Sequence, residues 1–211
     1  MKQFLLISLL FLTQMVTAQN ISIGLNPAVF EKTSFEKAII HFKDGTDIEG
    51  IGRLKTIFTS QEDVIIFKVE EKDKDETWTV KDVEAITIIS DDDGIKDYEY
   101  LKVSKSSFAE LYEVVTDGTV KLYKKSLTTN MVFPATGINN IPQSTTVKNV
   151  VYYLKREKEP YPTRIRDNYI KATAEYMKDC EVMVEKIKNH EYNYIQLKDL
   201  VDYYNANCGN D

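Results

Sequence analysis

Between Lys37 and about Glu157 the chain repeats one pattern, in which short runs of β-branched and aromatic residues alternate with polar turns. Runs of this length with polar boundaries are typical of β-strands, and their close spacing favours antiparallel hairpins. Asp44-Gly45 and Asp117-Gly118 are residue pairs that tight hairpin turns prefer. The pattern predicts about eight or nine strands in an antiparallel meander, folded as a curled sheet or as a partly closed barrel.

The predicted strands are short, and each contains β-branched or aromatic residues. They cover Ala38–Phe42, Ile48–Ile57, Val64–Val69, Thr77–Val80, Val83–Ile89, Tyr98–Val103, Phe108–Val115, Thr119–Leu127 and Val150–Leu154. Gly50 and Gly52 fall inside the second strand and predict a bulge or a strong bend there. The Thr-, Asn- and Pro-rich stretch from Thr128 to Lys148 predicts a long loop, which is either a flexible insertion or a functional lid.

After Pro160 and Pro162 the apolar residues recur at helical spacing. Proline ends a strand and is common just before a helix, so this change predicts a helical tail. Asp179 is a candidate N-cap for the second helix of the tail. Asn193 and Gln196 have the spacing of a capping box that starts a third helix. Together with the strands, the tail makes the predicted fold class α+β.

The N-terminus has the pattern of a removable export signal. Lys2 precedes an apolar run of about nine residues, and small residues lead to Ala18. A helix that crosses a bilayer needs roughly 20 apolar residues, so this run is too short for a membrane anchor. We expect a signal peptide over 1–18, a β-rich body over 19–159 and a helical tail over 160–211. The mature protein is expected in the periplasm or outside the cell, without a membrane span.

Cys180 and Cys208 are the two cysteines of the chain and lie 28 positions apart. In an oxidising compartment an even count favours pairing, and two cysteines allow a single intramolecular bridge. Such a bridge would join the start of the second helix to the end of the third and staple the helical hairpin. The alternatives are a free thiol pair or a zinc half-site near His190, although structural zinc usually takes four ligands.

The charge balance and the motifs limit the classes of function. The chain has 27 Lys+Arg against 33 Asp+Glu and a net charge of −6. It therefore lacks the excess of basic residues with which proteins bind the phosphate backbone of nucleic acids. The sequence contains neither a phosphate-binding glycine loop nor a nucleophile elbow, and no cofactor is predicted. Asp91, Asp92 and Asp93 are a weak calcium candidate. They are contiguous, whereas a calcium loop alternates its ligands, and a solvated hairpin tip is the simpler interpretation.

Tyrosine is the unusually frequent residue, with 13 in the chain and nine of them from Tyr152 onward. A tyrosine ring is apolar with a polar tip and suits interfaces and sugar-stacking surfaces. Tyr152, Tyr153, Tyr203 and Tyr204 are therefore candidates for a binding surface, with an envelope protein or a glycan as partner. The alternative is that these rings attach the helical tail to the sheet.

Several segments resemble a group of small exported proteins of Bacteroidetes, such as flavobacteria. The resemblance lies in the tail and in one N-terminal hairpin, at Asp179-Cys180, Val182–Ile187, Leu197–Val201, Tyr204-Asn205 to Cys208, and Phe42–Gly50. Those proteins often place a proline directly after the first cysteine, where this chain has Glu181, a difference that affects only how the helix starts. The resemblance implies an envelope or secreted location and supplies no activity and no site residues.

These observations favour a non-enzymatic exported module that binds a partner through the sheet face or through the loop at Thr128–Lys148. One alternative is a cofactor-independent envelope hydrolase that uses acidic residues, which would need two convergent carboxylates in a pocket. Another is a structural or stress-related envelope protein without a discrete site.

Overall fold

The computed structural model describes residues 34–57, 62–133, 143–165 and 169–209. The predicted signal peptide over 1–18 lies outside them. Within these residues the elements are β1 (Glu36–Phe42), β2 (Asp47–Ile57), β3 (Glu62–Lys68), β4 (Glu76–Trp78), β5 (Val83–Ser90), β6 (Gly94–Leu101), β7 (Glu110–Thr116), β8 (Val120–Phe133), β9 (Gln143–Arg156), β10 (Thr163–Ile165), α1 (Tyr169–Tyr176), α2 (Glu181–Lys188) and α3 (Leu197–Asn207). A 3-10 turn, Tyr194–Gln196, precedes α3. None of these helices is long and apolar enough to span a membrane.

The strands form one antiparallel sheet with the order β10-β9-β8-β7-β6-β5-β1-β2-β3-β4. It consists of two meanders, β1–β4 and β5–β10, which join where β5 pairs with β1. The predicted α+β fold is confirmed. Of the two predicted forms the curled sheet is right, because the described strands leave the sheet open, with β4 and β10 at its edges.

The strand registers place the two larger cores on one face, which we call the inner face, and a smaller buried cluster of Leu101, Tyr112 and Tyr123 on the opposite, outer face. Ile40, Leu54, Phe67, Ile86 and Leu111 form a first core under the N-terminal strands. On the inner face of β8 and β9 lies a second core, which packs against the tail and contains Val120, Leu122, Leu154, Met183, Leu200, Val201 and Tyr204. The tail therefore covers one half of the inner face, and the sheet covers the other half by curling.

The curl is held at Asp63, near the start of β3. Its Oδ2 accepts a hydrogen bond from the Leu111 amide of β7 at 2.8 Å, and its carbonyl accepts one from the Tyr100 hydroxyl of β6 at 3.0 Å. These strands are not neighbours of β3 in the sheet. The inner face therefore encloses the first core.

Of the two predicted roles of the β2 glycines, a bulge or a strong bend, the register contradicts the bulge. The β2 register with β1 is continuous through Gly50 and Gly52, so the predicted bulge is absent. A Cβ atom at Gly50 would lie 2.6 Å from the Phe67 ring and 2.5 Å from the Lys68 carbonyl oxygen. Glycine is needed at this position because the backbone of β2 lies directly against Phe67.

The predicted loop over Thr128–Lys148 was wrong over most of its length. β8 and β9 pair continuously from Val120↔Arg156 to Phe133↔Gln143, so residues 128–133 and 143–148 are strand, and 134–142 lie outside the described residues. The Thr and Val residues of this stretch favour strands, and the prediction gave more weight to its Asn and Pro residues, which are typical of loops.

A second correction is β10, a short edge strand that precedes the first helix of the tail.

The helix starts of the tail were predicted with mixed success. The capping box at Asn193 and Gln196 is confirmed, with the Asn193 side chain accepting from the Ile195 amide and the Gln196 side chain accepting from the Asn193 amide. The prediction that Asp179 caps α2 was wrong. The N-cap is Cys180, without a side-chain cap hydrogen bond, because the Asp179 carboxylate is engaged elsewhere, by Arg156 and Tyr204.

Alkaline pH is expected to unfold the protein, because burial raises the pKa of several tyrosines above their usual range. Nearby carboxylates add to this effect, and the tyrosines concerned are Tyr98, Tyr100, Tyr112, Tyr123 and Tyr176. A raised folded-state pKa gives stability that is fully present below the unfolded pKa of about 10 and is lost as the pH rises above it. Absorbance at 295 nm against pH should show these rings ionising only on unfolding. Ionisation of all 13 tyrosines near pH 10 in folded protein would contradict this expectation.

Candidate functional site

The four tyrosines predicted as a binding surface do not form one. Tyr204 is 1% exposed and belongs to the core between tail and sheet, so it cannot be a surface residue. Tyr152 packs edge-on against Tyr194 of the tail with ring centroids 5.4 Å apart. Tyr153 lies on the outer face against Tyr112, at 5.3 Å. The alternative prediction was that these rings attach the helical tail to the sheet. Tyr152 and Tyr204 have that role.

The predicted disulfide is present. Cys180 and Cys208 are bonded, with their Cα atoms 5.8 Å apart, and the bond joins the residue before α2 to the residue after α3. The alternatives of a free thiol pair and of a zinc half-site at these cysteines are thereby excluded. The end of α3 lies beside the turn between β7 and β8, where the Thr119 hydroxyl donates to the Gly209 carbonyl at 2.6 Å.

Next to the disulfide lies a cleft of about 460 Å³, which we call the tail cleft. Three parts of the chain line it: the turn between β7 and β8, the segment after β9, and the ends of the tail helices. The lining residues are Gly118, Thr119, Arg156, Glu157, Lys158, Glu159, Asp179, Tyr204, Cys208 and Gly209. The cleft therefore exists only when the tail is docked on the sheet.

Arg156 connects the walls of the tail cleft. Its Nη2 donates to Asp179 Oδ1 at 3.0 Å, to the Tyr204 hydroxyl at 2.9 Å and to the Tyr176 carbonyl at 3.2 Å. The guanidinium also lies over the Tyr176 ring, 5.2 Å from the centroid. One side chain at the end of β9 thus contacts the end of α1, the residue before Cys180 and the middle of α3.

Two of the three acidic residues of the cleft, Asp179 and Glu159, already have donors. Asp179 Oδ2 accepts from the Tyr204 hydroxyl at 2.6 Å and lies 2.9 Å from Arg156 Nη2. Burial alone would raise the Asp179 pKa, but the hydrogen bonds from Arg156 and Tyr204 outweigh it and lower the pKa. Glu159 Oε2 accepts from the Tyr176 hydroxyl at 2.7 Å. A general acid for hydrolysis needs a raised carboxyl pKa, and the Asp179 shift has the opposite direction.

A second arrangement, which we call the outer row, crosses the outer face. His41 Nδ1 lies 2.8 Å from Asp47 Oδ1, and His41 Nε2 lies 3.0 Å from Thr87 Oγ1. The Thr87 hydroxyl donates to Asp97 Oδ1 at 2.6 Å. A carboxylate, an imidazole and a hydroxyl are the parts of a nucleophilic triad. Here the Thr87 hydroxyl donates its hydrogen to Asp97 and not to the imidazole of His41. The hydrogen bonds of the outer row therefore hold these side chains in place but do not activate Thr87 as a nucleophile.

The calcium candidate is a hairpin tip. Asp91, Asp92 and Asp93 form the exposed turn between β5 and β6, and Asp93 pairs with Lys96 at 3.2 Å. Among the described residues, no group of three or more His, Cys, Asp or Glu side chains could hold a metal ion. The geometry thus adds nothing in favour of calcium at this turn.

Removing the Tyr204 hydroxyl is expected to loosen the tail. In Tyr204→Phe, Asp179 and Arg156 each lose a charge-assisted hydrogen bond, and we expect unfolding to become easier by about 1.5–3 kcal/mol at neutral pH. The difference from the wild type should shrink as the pH falls below about 4, because a lowered carboxyl pKa gives stability that is lost on protonation. Urea unfolding at several pH values would measure both effects.

The neighbouring tyrosine offers the control for that measurement. Tyr203 contacts Lys186 through its ring, with the ammonium 5.3 Å from the centroid. Its hydroxyl makes no hydrogen bond to a described residue. Tyr203→Phe should therefore leave stability nearly unchanged at every pH. Equal losses for the two variants would contradict the role given to the Tyr204 hydroxyl.

Sequence reasoning missed Arg156 and the outer row. Arg156 is the last residue of β9, in a charged stretch that looks like any solvated strand end, and its partners lie 20 to 48 positions away. The one sequence signal related to Arg156 was its partner Asp179, directly before Cys180, and that residue was interpreted as a helix cap.

No protein-family model matches the chain, and neither a curated protein nor a solved structure is significantly similar to it.

Proposed function

We propose that the protein is an exported, non-enzymatic binding module of the cell envelope and that it holds an envelope protein on the outer face of its sheet. The observation that carries the proposal is the outer row, in which hydrogen bonds fix four polar side chains on a solvent-accessible part of the outer face. Polar groups fixed in advance lose little side-chain entropy when a partner binds. Export is supported by the N-terminal signal pattern, and the disulfide is compatible with it.

Apolar side chains flank the outer row on the same face. Ile39, Ile51 and Ile89 are half-buried, and Ile95 is 70% exposed. The strand registers place Ile51, Lys37, Ile89 and Ile95 in one line across β2, β1, β5 and β6. Aliphatic side chains beside ordered polar groups are the composition that protein partners bind, whereas a glycan platform relies on aromatic rings.

We also propose that the chain belongs with the exported proteins of Bacteroidetes that it resembles. The residues that carry the resemblance in the tail come together around one structural feature. Asp179 and Tyr204 are hydrogen-bonded, Cys180 and Cys208 are bonded, and Asn205 accepts from the Val120 amide at 2.9 Å. The pattern therefore corresponds to the docking of the tail on the sheet, which supports a shared architecture and says nothing about activity.

Photo-crosslinking in intact cells tests the proposed surface. A benzoylphenylalanine would replace Ile95 on the outer face, and a matched variant would carry it at Ile195, which is 88% exposed in the tail. We expect one reproducible envelope protein to be linked from position 95 and not from position 195. The same products from both positions, or no product from folded and abundant protein, would contradict the proposal. Intact mass of the exported protein should also show that residues 1–18 are missing.

A further inference from the structure

The hairpin of β8 and β9 extends beyond both of its neighbours in the sheet. The two strands pair with each other over all 14 residues of each. The described ladder of β7 on β8 ends at Lys124, and the ladder of β10 on β9 ends at Tyr152. The described part of the hairpin beyond these points, residues 127–133 and 143–149, is therefore a two-stranded ribbon. A two-stranded ribbon by itself is only marginally stable in water.

The end of β9 shows which of its backbone groups face away from β8. The Arg156 amide donates to Glu159 Oε2 at 3.0 Å, and the Arg156 carbonyl accepts from the Glu159 amide at 3.0 Å. Successive residues of an antiparallel strand direct their N–H and C=O groups to alternate sides. Because the β8–β9 register has no shift, Ser144, Thr146 and Lys148 direct these groups to the same side as Arg156.

This edge of β9 lacks the features that usually keep a free strand edge from pairing. Native proteins protect such edges with charged residues, proline, bulges or a covering element. Residues 143–149 contain one charged residue, Lys148, and no proline, and their register with β8 has no bulge. Among the described strands β10 alone pairs with this edge, and only from Tyr152 onward. Three N–H and three C=O groups can therefore accept a further strand.

The sequence of the edge matches a second copy of itself. Antiparallel pairing about a two-fold axis at Thr146 would place three further pairs opposite one another: Gln143 with Asn149, Ser144 with Lys148, and Thr145 with Val147. The first pair joins two amides, and the last joins two β-branched residues of similar size. Each lysine lies opposite a serine, so no like charges meet across the ladder. In this register the outward groups exchange about six backbone hydrogen bonds.

We propose that the protein forms a two-fold dimer in which residues 143–149 of two copies pair as antiparallel strands. The interface is small, and interfaces of this class give weak association that depends on concentration. The edge of β9 is separate from the outer row, which lies on β1, β2, β5 and β6. Each copy therefore keeps its own outer row, and the dimer would present two of them to a partner.

Sedimentation velocity of the folded wild-type chain over a concentration series tests for the dimer, and amide hydrogen exchange locates it. We expect the monomer to give way to a dimer as the concentration rises. Over the same range exchange should slow at the amides of Ser144, Thr146 and Lys148. The amides of Thr145 and Val147 face β8 and should change far less. A monomer at every concentration would overturn the proposal, and so would a dimer without this alternation.

Two proline variants at the same level of the ribbon distinguish its two edges. Thr146 and Asn130 are cross-strand partners. Asn130 directs its backbone away from β9, as Val120 does, whose N–H and C=O are both bound by the Asn205 side chain. Each proline therefore removes an N–H that the β8–β9 ladder does not use.

The two variants should differ in dimerisation. Thr146→Pro should weaken it by about tenfold or more, because the central pair loses two hydrogen bonds. Asn130→Pro should leave it unchanged. Equal effects of the two variants would overturn the assignment to the edge of β9. The exchange measurement on the wild type decides the question if a proline variant does not fold, and its failure leaves the photo-crosslinking result at Ile95 unaffected.

Discussion

Replacing Lys125 with methionine is expected to lower the free energy of unfolding by about 3–5 kcal/mol. Lys125 Nζ lies 2.8 Å from Asp63 Oδ2 and also binds Glu110, and the side chains of Lys125 and Asp63 are 3% and 1% exposed. Methionine keeps the length of the side chain and removes its charge. Asp63 would then remain buried without its cation, with hydrogen bonds from Thr56 and the Leu111 amide. Urea-induced unfolding at neutral pH measures the loss.

The adjacent residue in β8 provides the matched control. Lys124 pairs with Glu113 at 2.7 Å, and the two side chains are 25% and 18% exposed. This pair is partly buried but keeps contact with solvent, so Lys124→Met should cost about 1 kcal/mol, well below the loss for Lys125→Met. If both methionine variants unfold at the same urea concentration, burial does not make the Lys125 pair special and the prediction fails.

Removing the disulfide is the second change with a large expected effect. The bridge closes a loop over a separation of 28 residues, and on the chain-entropy model this stabilises the fold by about 3–4 kcal/mol. The Cys180→Ser/Cys208→Ser variant should lose that amount. The tail should loosen before the sheet does, because the bridge constrains α2 and α3 and touches no strand pair. Hydrogen exchange of the tail amides distinguishes this local loosening from global unfolding.

Reduction of the wild-type protein provides the internal control. A reductant should bring the stability of the wild type down toward that of the double serine variant, and it should leave the variant unchanged. Alkylation followed by intact mass shows whether both thiols were released. Released thiols without any loss of stability would contradict the prediction.

The strands and the tail helices were predictable because their signals are local. Asp44-Gly45 predicted a tight turn, and Gly45 has the positive φ of 85° that such turns require. The apolar residues of the tail were predicted to recur at helical spacing, and those of α3, Leu197, Leu200, Val201 and Tyr204, are all buried. Each of these features depends on residues a few positions apart, which the sequence displays directly.

The candidate sites were not predictable, because residues far apart in the chain form them. Tyr204 and Arg156 are 48 positions apart, Lys125 and Asp63 are 62 apart, and His41 and Thr87 are 46 apart. In the sequence each of these residues except Tyr204 looks like a solvated strand or helix residue. Only the pairing of β1 with β5, the curl of the sheet and the docking of the tail bring them together, and no local pattern specifies those three features.

The junction of the two meanders also gives the fold a natural place to be divided. A backbone cut in the turn at 79–82, between β4 and β5, would interrupt no strand ladder. The fragments would meet along the β1–β5 ladder, with Asp63 on one piece and Lys125 and Glu110 on the other. The buried ion pair would then form between the two fragments and would favour the native register, because a shifted register would leave its charges buried and unpaired. Complementation between the two pieces would therefore be selective for the native register.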